Sequence, residues 1–175
     1  MEILVTLQKF EIRLLAGIFR QTEKRMVIPV ARAVSRSGDG YLHLLVPMLV
    51  WLIDPDGFAR LLPLLVLALV VERALYWVIK NSLRRPRPQD SVYGFRSLIT
   101  ASDQFSFPSG HSSGAFLLAT ALLLVYGSVA VPMFFWAFGV GLSRILLGVH
   151  FPGDTLAGAI MGSGIALLAA GALDT

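Results

Sequence analysis

Long apolar runs constrain this chain more than any other feature of its sequence. Residues 58–79 form one such run. About 20 apolar residues in a helix are enough to cross the hydrocarbon core of a bilayer. Charged residues make up only 15% of the chain, whereas ordinary soluble domains carry about 25%. The run and the mean hydropathy of +0.71 therefore predict an integral membrane protein.

Four further apolar stretches predict additional membrane helices. The fold class that we expect is therefore an all-α, integral membrane helical bundle with about five transmembrane helices. Glu72 and Arg73 fall inside the first run, and ionisable residues at that depth should face the protein interior and form structural ion pairs with other helices. The four stretches are separated by short turns and cover residues 41–53, 112–127, 130–149 and 154–173.

The N-terminal part of the chain has a different character, because charged residues alternate with apolar ones. Phe10, Leu14 and Ile18 recur at helical spacing with charged residues between them. This pattern is typical of an amphipathic helix that lies in the membrane interface. We therefore divide the chain into an amphipathic N-terminal segment, residues 1–37, and a transmembrane catalytic domain, residues 38–175.

The net charge of +4 and the isoelectric point near 9.9 describe a basic protein. In a soluble protein this balance would suggest nucleic acid, but here the basic residues flank apolar stretches. The expected partners are therefore the bilayer, through its anionic lipid headgroups, or phosphate substrates, and not nucleic acid. The chain has no cysteine and only three histidines, so we expect neither a metal site nor a cofactor. The oligomeric state has no signature in the sequence.

Residues 143–154 carry the first motif with chemical meaning. Ser143 and His150 are seven residues apart, two helical turns, which would place both on one face of a helix. Asp154 precedes the next apolar stretch, where Asp is a preferred N-cap, and its carboxylate would reach back to His150. A carboxylate-supported imidazole beside the guanidinium of Arg144 suits nucleophilic attack on phosphorus. The alternative is that the His and the Asp only cap consecutive helices.

The basic segment from Lys80 to Pro88 supplies a second motif. Lys80 contributes a point charge and Arg87 a fork of donors, a suitable pair for a phosphate group. Prolines on both sides of Arg87 stiffen the chain there. The alternative is a basic cluster that merely flanks a membrane helix, because such clusters are common.

A third motif, Ser109-Gly110-His111, opens the helix predicted at 112–127. The N-terminus of a helix presents free amides and a favourable dipole to an anion. His111 in the first turn is placed to give a proton to a leaving oxygen. N-capping by Ser109 is the simpler interpretation and is compatible with this one. Counting the membrane crossings puts all three motifs on one face of the membrane.

With these motifs the chain resembles the type 2 phosphatidic acid phosphatase superfamily. The signature of that family is Lys-x6-Arg-Pro, Pro-Ser-Gly-His and Ser-Arg-x5-His-x3-Asp. The chain matches every signature position within residues 80–88, 108–111 and 143–154, and the resemblance covers about residues 38–173. Many membrane members of the family have six spans, and in this chain the N-terminal segment takes the place of the first.

The resemblance implies roles for the matching residues. His150 would be the nucleophile that becomes phosphorylated, Asp154 would orient it, and His111 would protonate the leaving group. The role of Ser143 stays open. The phosphoryl oxygens would be held by the remaining signature residues, namely Lys80, Arg87, Ser109, Gly110 and Arg144.

We therefore predict a metal-independent membrane lipid phosphatase that works through a phosphohistidine intermediate. It would hydrolyse a phosphomonoester or a terminal diphosphate of a lipid. The substrate stays open among phosphatidylglycerophosphate, phosphatidate, undecaprenyl pyrophosphate and lipid A phosphates, because the motifs recognise only the phosphate. A lipid phosphotransferase would use the same residues. A non-catalytic membrane binding protein is the alternative from another class.

Two arguments about the side of the membrane conflict. The face with the motifs carries most of the Lys and Arg residues, which favours the cytoplasmic side. However, several of these residues belong to the predicted site itself, and membrane members of the resembled family usually work on the extracytoplasmic face. We therefore expect a multi-pass protein of the bacterial cytoplasmic (inner) membrane, with its site on the periplasmic or outer face.

Overall fold

The computed structural model describes residues 2–173, and within that range it contains helices and connections but no β-strand. Met1, Asp174 and Thr175, the ends of the two predicted segments, lie outside the described residues. The all-α prediction is confirmed. The helices are α1 (Glu2–Phe19), α2 (Val27–Ser37), α3 (Tyr41–Ile53), α4 (Pro55–Leu83), α5 (Pro88–Ser91), α6 (Gly110–Tyr126), α7 (Pro132–Leu146) and α8 (Pro152–Leu173), with short 3-10 helices at Arg20–Glu23 and Gly127–Ala130.

Among the described residues, three helical segments are long and apolar enough to cross a membrane: Pro55–Ser91, Gly110–Ala130 and Pro152–Leu173. Two more apolar helices, α3 with 13 residues and α7 with 15, are shorter than a typical span. The structure thus has an apolar helix at each predicted position and is a multi-pass membrane protein. The number of five crossings stays a prediction.

The N-terminal segment forms two helices where the sequence predicted one. The 3-10 helix at Arg20–Glu23 interrupts the α-helical path, and Lys24 after it is extended. Thr22 contributes to the break, since its hydroxyl donates to the Phe19 carbonyl at 2.6 Å and competes with regular helical bonds. In helix α1, Leu15 is buried against the bundle, whereas Phe10 and Leu14 are exposed. That this helix lies in the membrane interface stays a prediction.

Helix α6 is the centre of the bundle, because α4, α7 and α8 all pack on it. Leu117 and Leu118 of α6 are fully buried in a core that includes Leu61 of α4 and Ala166 of α8. The approach of α8 is close at Gly162, where an added Cβ would lie 2.0 Å from the Ser113 carbonyl oxygen. Small residues therefore set the distance between α6 and α8.

The connection between α7 and α8 differs from the sequence prediction. Helix α7 ends at Leu146, and Gly148 follows in the left-handed conformation with a φ of 75°, a common way to end a helix. His150 lies beyond this turn, so the prediction that it shares a helical face with Ser143 is wrong. Asp154 is the third residue of α8 rather than its N-cap, and its Oδ2 accepts a bond of 2.8 Å from the Phe151 amide.

We expect Gly162→Ala to destabilise the protein, because the new methyl group meets backbone atoms that cannot move aside. The cost should be about 1–3 kcal/mol, typical of overpacking. Thermal unfolding in detergent micelles, followed by tryptophan fluorescence, measures the effect.

The matched control is Gly164→Ala in the same helix, where nothing lies within 4 Å of an added Cβ. It should be neutral or stabilising by up to about 1 kcal/mol through helix propensity. Equal melting temperatures for the two variants would contradict the assignment of close packing at Gly162.

Candidate active site

A cavity of about 660 Å³ collects most of the predicted site residues. It lies between the turn that precedes α3, the C-terminal half of α4, the start of α6 and the α7–α8 connection. The other three predicted residues do not line it. Lys80 and Asp154 contact the lining residues Asp103 and His150, and the Ser109 amide donates to the Asp154 carbonyl. The predicted residues that line the cavity are Arg87, Gly110, His111, Arg144 and His150.

His150 and Asp154 form a buried pair. Their exposed fractions are 2% and 0%, and Nδ1 of the histidine lies 3.6 Å from Oδ2 of the aspartate. This distance is longer than a hydrogen bond, so the interaction at this separation is mainly electrostatic. Because Nδ1 faces the carboxylate, Nε2 is the ring nitrogen left for the cavity. The pairing agrees with the sequence prediction, although the helical geometry does not.

Burial dominates the protonation of His150. Removal from water lowers its pKa to about 4, and the positive charges of Arg87 and Arg144 act in the same direction, while Asp154 opposes them. The ring is therefore neutral at neutral pH, with a free electron pair on one nitrogen. A neutral imidazole is the form that is able to attack an electrophile.

Arg85 and Glu11 support the Asp154 carboxylate, and sequence reasoning missed both roles. Arg85 Nη1 donates to Asp154 Oδ1 at 2.7 Å, and its Nη2 pairs with Glu11. The guanidinium also lies 4.4 Å from the centre of the Phe151 ring. Glu11 accepts a further bond from the Gly153 amide at 2.8 Å. Because Glu11 comes from α1, 74 residues before Arg85, no local pattern revealed the contact.

Asp103 is a third residue that the sequence did not single out. Its carboxylate pairs with Lys80 at 2.8 Å and with Arg87, and accepts a bond from the Tyr76 hydroxyl at 2.6 Å. Partial burial raises the pKa of Asp103, but the bonds from Lys80 and Tyr76 and the charges of Lys80 and Arg87 outweigh it and hold the pKa at about 2. Asp103 is thus an anion that neutralises the two predicted phosphate-binding cations.

Arg144 differs from these two cations because it has no carboxylate partner within residues 2–173. Its Nη1 donates to the Ser35 hydroxyl at 2.7 Å, while its Nε is buried without a hydrogen-bond partner. The side chain is almost fully buried and lines the cavity. A guanidinium in this condition favours an anionic ligand, since burying an unpaired charge is costly.

The start of α6 contributes one histidine and a set of backbone amides. Ser109 caps the helix by accepting from the Ser112 amide at 3.4 Å, and Gly110 and His111 open onto the cavity. Amides in the first turn of a helix have no partner within the helix and are suited to an anion. His111 Nε2 lies 2.7 Å from Asp39 Oδ1, a contact that the sequence did not predict.

Two other polar features near the cavity have structural contacts. Glu72 is fully buried and pairs with Arg73, its neighbour in α4. The predicted pairing with other helices is thus replaced by a pair within α4, and the Arg73 side chain is exposed rather than turned to the protein interior. Ser143, whose role the sequence left open, donates to the Val140 carbonyl at 2.6 Å and so satisfies its hydroxyl within α7. Across the described part of the chain, no group of three or more His, Asp or Glu side chains has a metal-binding arrangement.

Comparison with known proteins identifies the family. The model of the PAP2 superfamily matches residues 61–174, and the chain belongs to this superfamily. The resemblance inferred from the three motifs is therefore confirmed.

Individual relatives are lipid phosphatases by name. Over 99 residues the chain is 34% identical to a lipid A 1-phosphatase of Rhizobium johnstonii, a match that covers 53% of this chain and 40% of the relative. It is 35% identical over 97 residues to a decaprenylphosphoryl-5-phosphoribose phosphatase of Mycobacterium tuberculosis, covering 53% and 50%. The chain therefore spans half or less of the length of these two relatives.

A solved structure resembles the whole bundle. The crystal structure of Aquifex aeolicus LpxE superposes with a TM-score of 0.74 at 25% identity, and the match covers 90% of this chain and 92% of the other. The helical membrane fold is therefore shared along nearly the entire length of both chains.

We expect the His150 ring to titrate near pH 4, well below the value of about 6.5 for an exposed imidazole. A pH titration of the ring protons by NMR in detergent micelles measures this, with His150→Gln to assign the signal. Asp154→Asn should lower the pKa further, because the carboxylate charge favours the protonated ring. A midpoint near 6.5 would contradict the burial argument.

Proposed function

We propose that this protein is a membrane lipid phosphatase that forms a phosphohistidine at His150. The observation that carries the proposal is the arrangement of a buried, neutral imidazole, backed by Asp154, in a cavity lined by Arg87, Arg144 and His111. Membership of the PAP2 superfamily supports it, as do the two named relatives, since both act on lipid phosphates.

In the proposed first step, Nε2 of His150 attacks phosphorus in line with the leaving oxygen. The bond between phosphorus and that oxygen breaks, and His111 gives its proton to the oxygen. The phosphoryl oxygens are stabilised by Arg87, Arg144 and the amides of the first turn of α6, and electrostatic stabilisation of this kind usually contributes most to catalysis. Asp154 stabilises the positive charge that the imidazole acquires when it becomes phosphorylated.

Hydrolysis then regenerates the enzyme. Water attacks the phosphohistidine and gives a proton to His111, which restores the acid for the next cycle, while inorganic phosphate leaves and His150 returns to its neutral form. A substrate phosphate that binds Lys80 and Arg87 competes with Asp103, because this carboxylate already accepts from both cations. All of the charge is supplied by side chains and amides, so the proposed chemistry needs no metal.

The substrate class is a lipid that carries a phosphomonoester or terminal diphosphate. Phosphate release measured over phosphatidylglycerophosphate, phosphatidate, undecaprenyl pyrophosphate and lipid A tests the activity directly. Radioactive phosphate recovered in water supports hydrolysis, whereas label transferred to another lipid would favour a phosphotransferase. No turnover of any of these lipids would favour a non-catalytic binding protein.

We expect His150→Ala to lower turnover by at least about 10³-fold and to abolish the acid-quenched phosphoenzyme, since removal of a nucleophile removes the covalent path. His111→Ala should retain the phosphoenzyme and should be impaired less with p-nitrophenyl phosphate, whose leaving group needs no proton.

Two results would count against this mechanism. Radiolabel that stays on His150→Ala would place the nucleophile elsewhere. Activity that disappears with EDTA and returns with a divalent ion would mean that a metal supplies the charge.

We further propose that the site faces the periplasm or the outside of the bacterial cytoplasmic membrane. Helix α4 has 29 residues and is about 44 Å long at 1.5 Å per residue. Asp56 in its first turn and Asp90 in α5, beyond its last turn, therefore lie near opposite membrane surfaces, and both are exposed.

This pair provides a matched test in a chain that has no natural cysteine. Asp90→Cys should react with a membrane-impermeant maleimide in intact spheroplasts, and Asp56→Cys should react only after the cells are broken. The opposite pattern would place the site in the cytoplasm.

A further inference from the structure

A second cavity, of about 340 Å³, lies beside the catalytic one. The two cavities share the lining residues Asp39, Ser102, His111 and Arg144. On the far side the second cavity is lined by Arg32 and Arg36 of α2 and by the 99–102 loop. Its volume is at the lower end of the range for small-molecule sites, which suits one small polar group.

The positive charges around the two cavities are balanced differently. In the catalytic cavity Lys80 and Arg87 pair with Asp103, and Arg73 pairs with Glu72. The second cavity is lined by three arginines, Arg32, Arg36 and Arg144. None of them has an ion-pair partner among the described residues. Asp39 also lines it, but this carboxylate pairs with His111.

Two of these arginines are held in place by the protein. Arg144 is almost fully buried, donates from Nη1 to Ser35, and has a buried Nε without a partner. Arg32 is exposed, but its Nη2 donates to the Leu98 carbonyl at 3.0 Å. Arg36, one helical turn after Arg32, is exposed to solvent. Three guanidinium groups around one cavity, one of them buried and incompletely bonded, favour an anion with several acceptor oxygens.

We propose that the second cavity binds a phosphate group carried by the leaving group of the substrate. The inference rests on the proposed function, because His111 is the acid that protonates the leaving oxygen and lies in the wall shared by both cavities. Whatever is attached to that oxygen therefore lies next to His111 when the bond breaks. The second cavity begins at this point and supplies the unpaired positive charge.

This proposal divides the candidate substrates by chemistry. When phosphatidylglycerophosphate is cleaved, the leaving alcohol retains a phosphodiester, and a lipid diphosphate leaves as a lipid monophosphate. Phosphatidate leaves as an uncharged diacylglycerol. In each case His150 forms a bond to the terminal phosphorus, the bond to the leaving oxygen breaks, and the proton of His111 goes to that oxygen. Only the first two substrates place a second phosphate beyond His111.

The test compares two short-chain substrates in uncharged detergent micelles, dioctanoyl phosphatidylglycerophosphate and dioctanoyl phosphatidate. Arg36→Gln and Arg32→Gln should each lower kcat/KM for phosphatidylglycerophosphate by about tenfold or more, the scale of a lost charge-assisted hydrogen bond. For phosphatidate both variants should stay within about twofold of the wild type. Arg25→Gln is the matched control, since Arg25 is an exposed basic residue of the same segment that lines neither cavity.

Several outcomes would overturn the proposal. If kcat/KM falls equally for both substrates, Arg32 and Arg36 act on the transferred phosphoryl group. If kcat/KM falls equally in Arg25→Gln, the arginines act on the micelle surface. If kcat/KM for phosphatidylglycerophosphate is unchanged in Arg32→Gln and Arg36→Gln, the second cavity does not bind the phosphate of the leaving group.

Inorganic phosphate distinguishes a tethered phosphate from a free one. Its inhibition constant against phosphatidate hydrolysis should be unchanged in Arg36→Gln, and weaker inhibition would assign the cavity to the released product. If the wild type hydrolyses neither of these lipids and releases no phosphate from undecaprenyl pyrophosphate or lipid A, the proposed function fails instead, a result that differs from every outcome named above.

Discussion

The buried carboxylate of Asp154 is the group on which the site depends. A carboxylate without exposure to water is costly unless it is paired and hydrogen-bonded. Here Arg85 and the Phe151 amide satisfy its two oxygens at 2.7 and 2.8 Å, and its main-chain carbonyl accepts from the Ser109 amide at 2.9 Å. These contacts join the basic segment, the start of α6 and the start of α8. Contacts of this one residue, two through its carboxylate and one through its main-chain carbonyl, therefore bring the three motifs together.

The same residue links helix α1 to the site. Arg85 bridges Asp154 to Glu11 of α1, and Glu11 also accepts from the Gly153 amide. The amphipathic N-terminal segment is thus part of the support for the histidine rather than a separate anchor. A change in how α1 packs on α7 and α8 would alter the environment of Asp154 first.

Electrostatic balance explains how several cations share one site. Asp103 neutralises Lys80 and Arg87, and Glu72 neutralises Arg73, whereas Arg144 stays without a carboxylate partner within the described range. In the proposed mechanism, a substrate phosphate would compete with Asp103 at Lys80 and Arg87 and would give Arg144 an anionic partner. The cavity is therefore prepared for an anion without carrying the full repulsion of its cations.

The amino-acid sequence was enough to predict the membrane class, the positions of the apolar helices, the family and the residues of the three motifs. Those features are encoded in composition, local periodicity and fixed spacings, which need no knowledge of neighbouring elements. What each motif touches became clear only from the folded chain. The left-handed turn at Gly148 separates His150 from the helix of Ser143, and Arg85, Glu11 and Asp103 join the site through contacts between distant segments. Such contacts follow from how the helices pack, and packing has no signature in a short stretch of sequence.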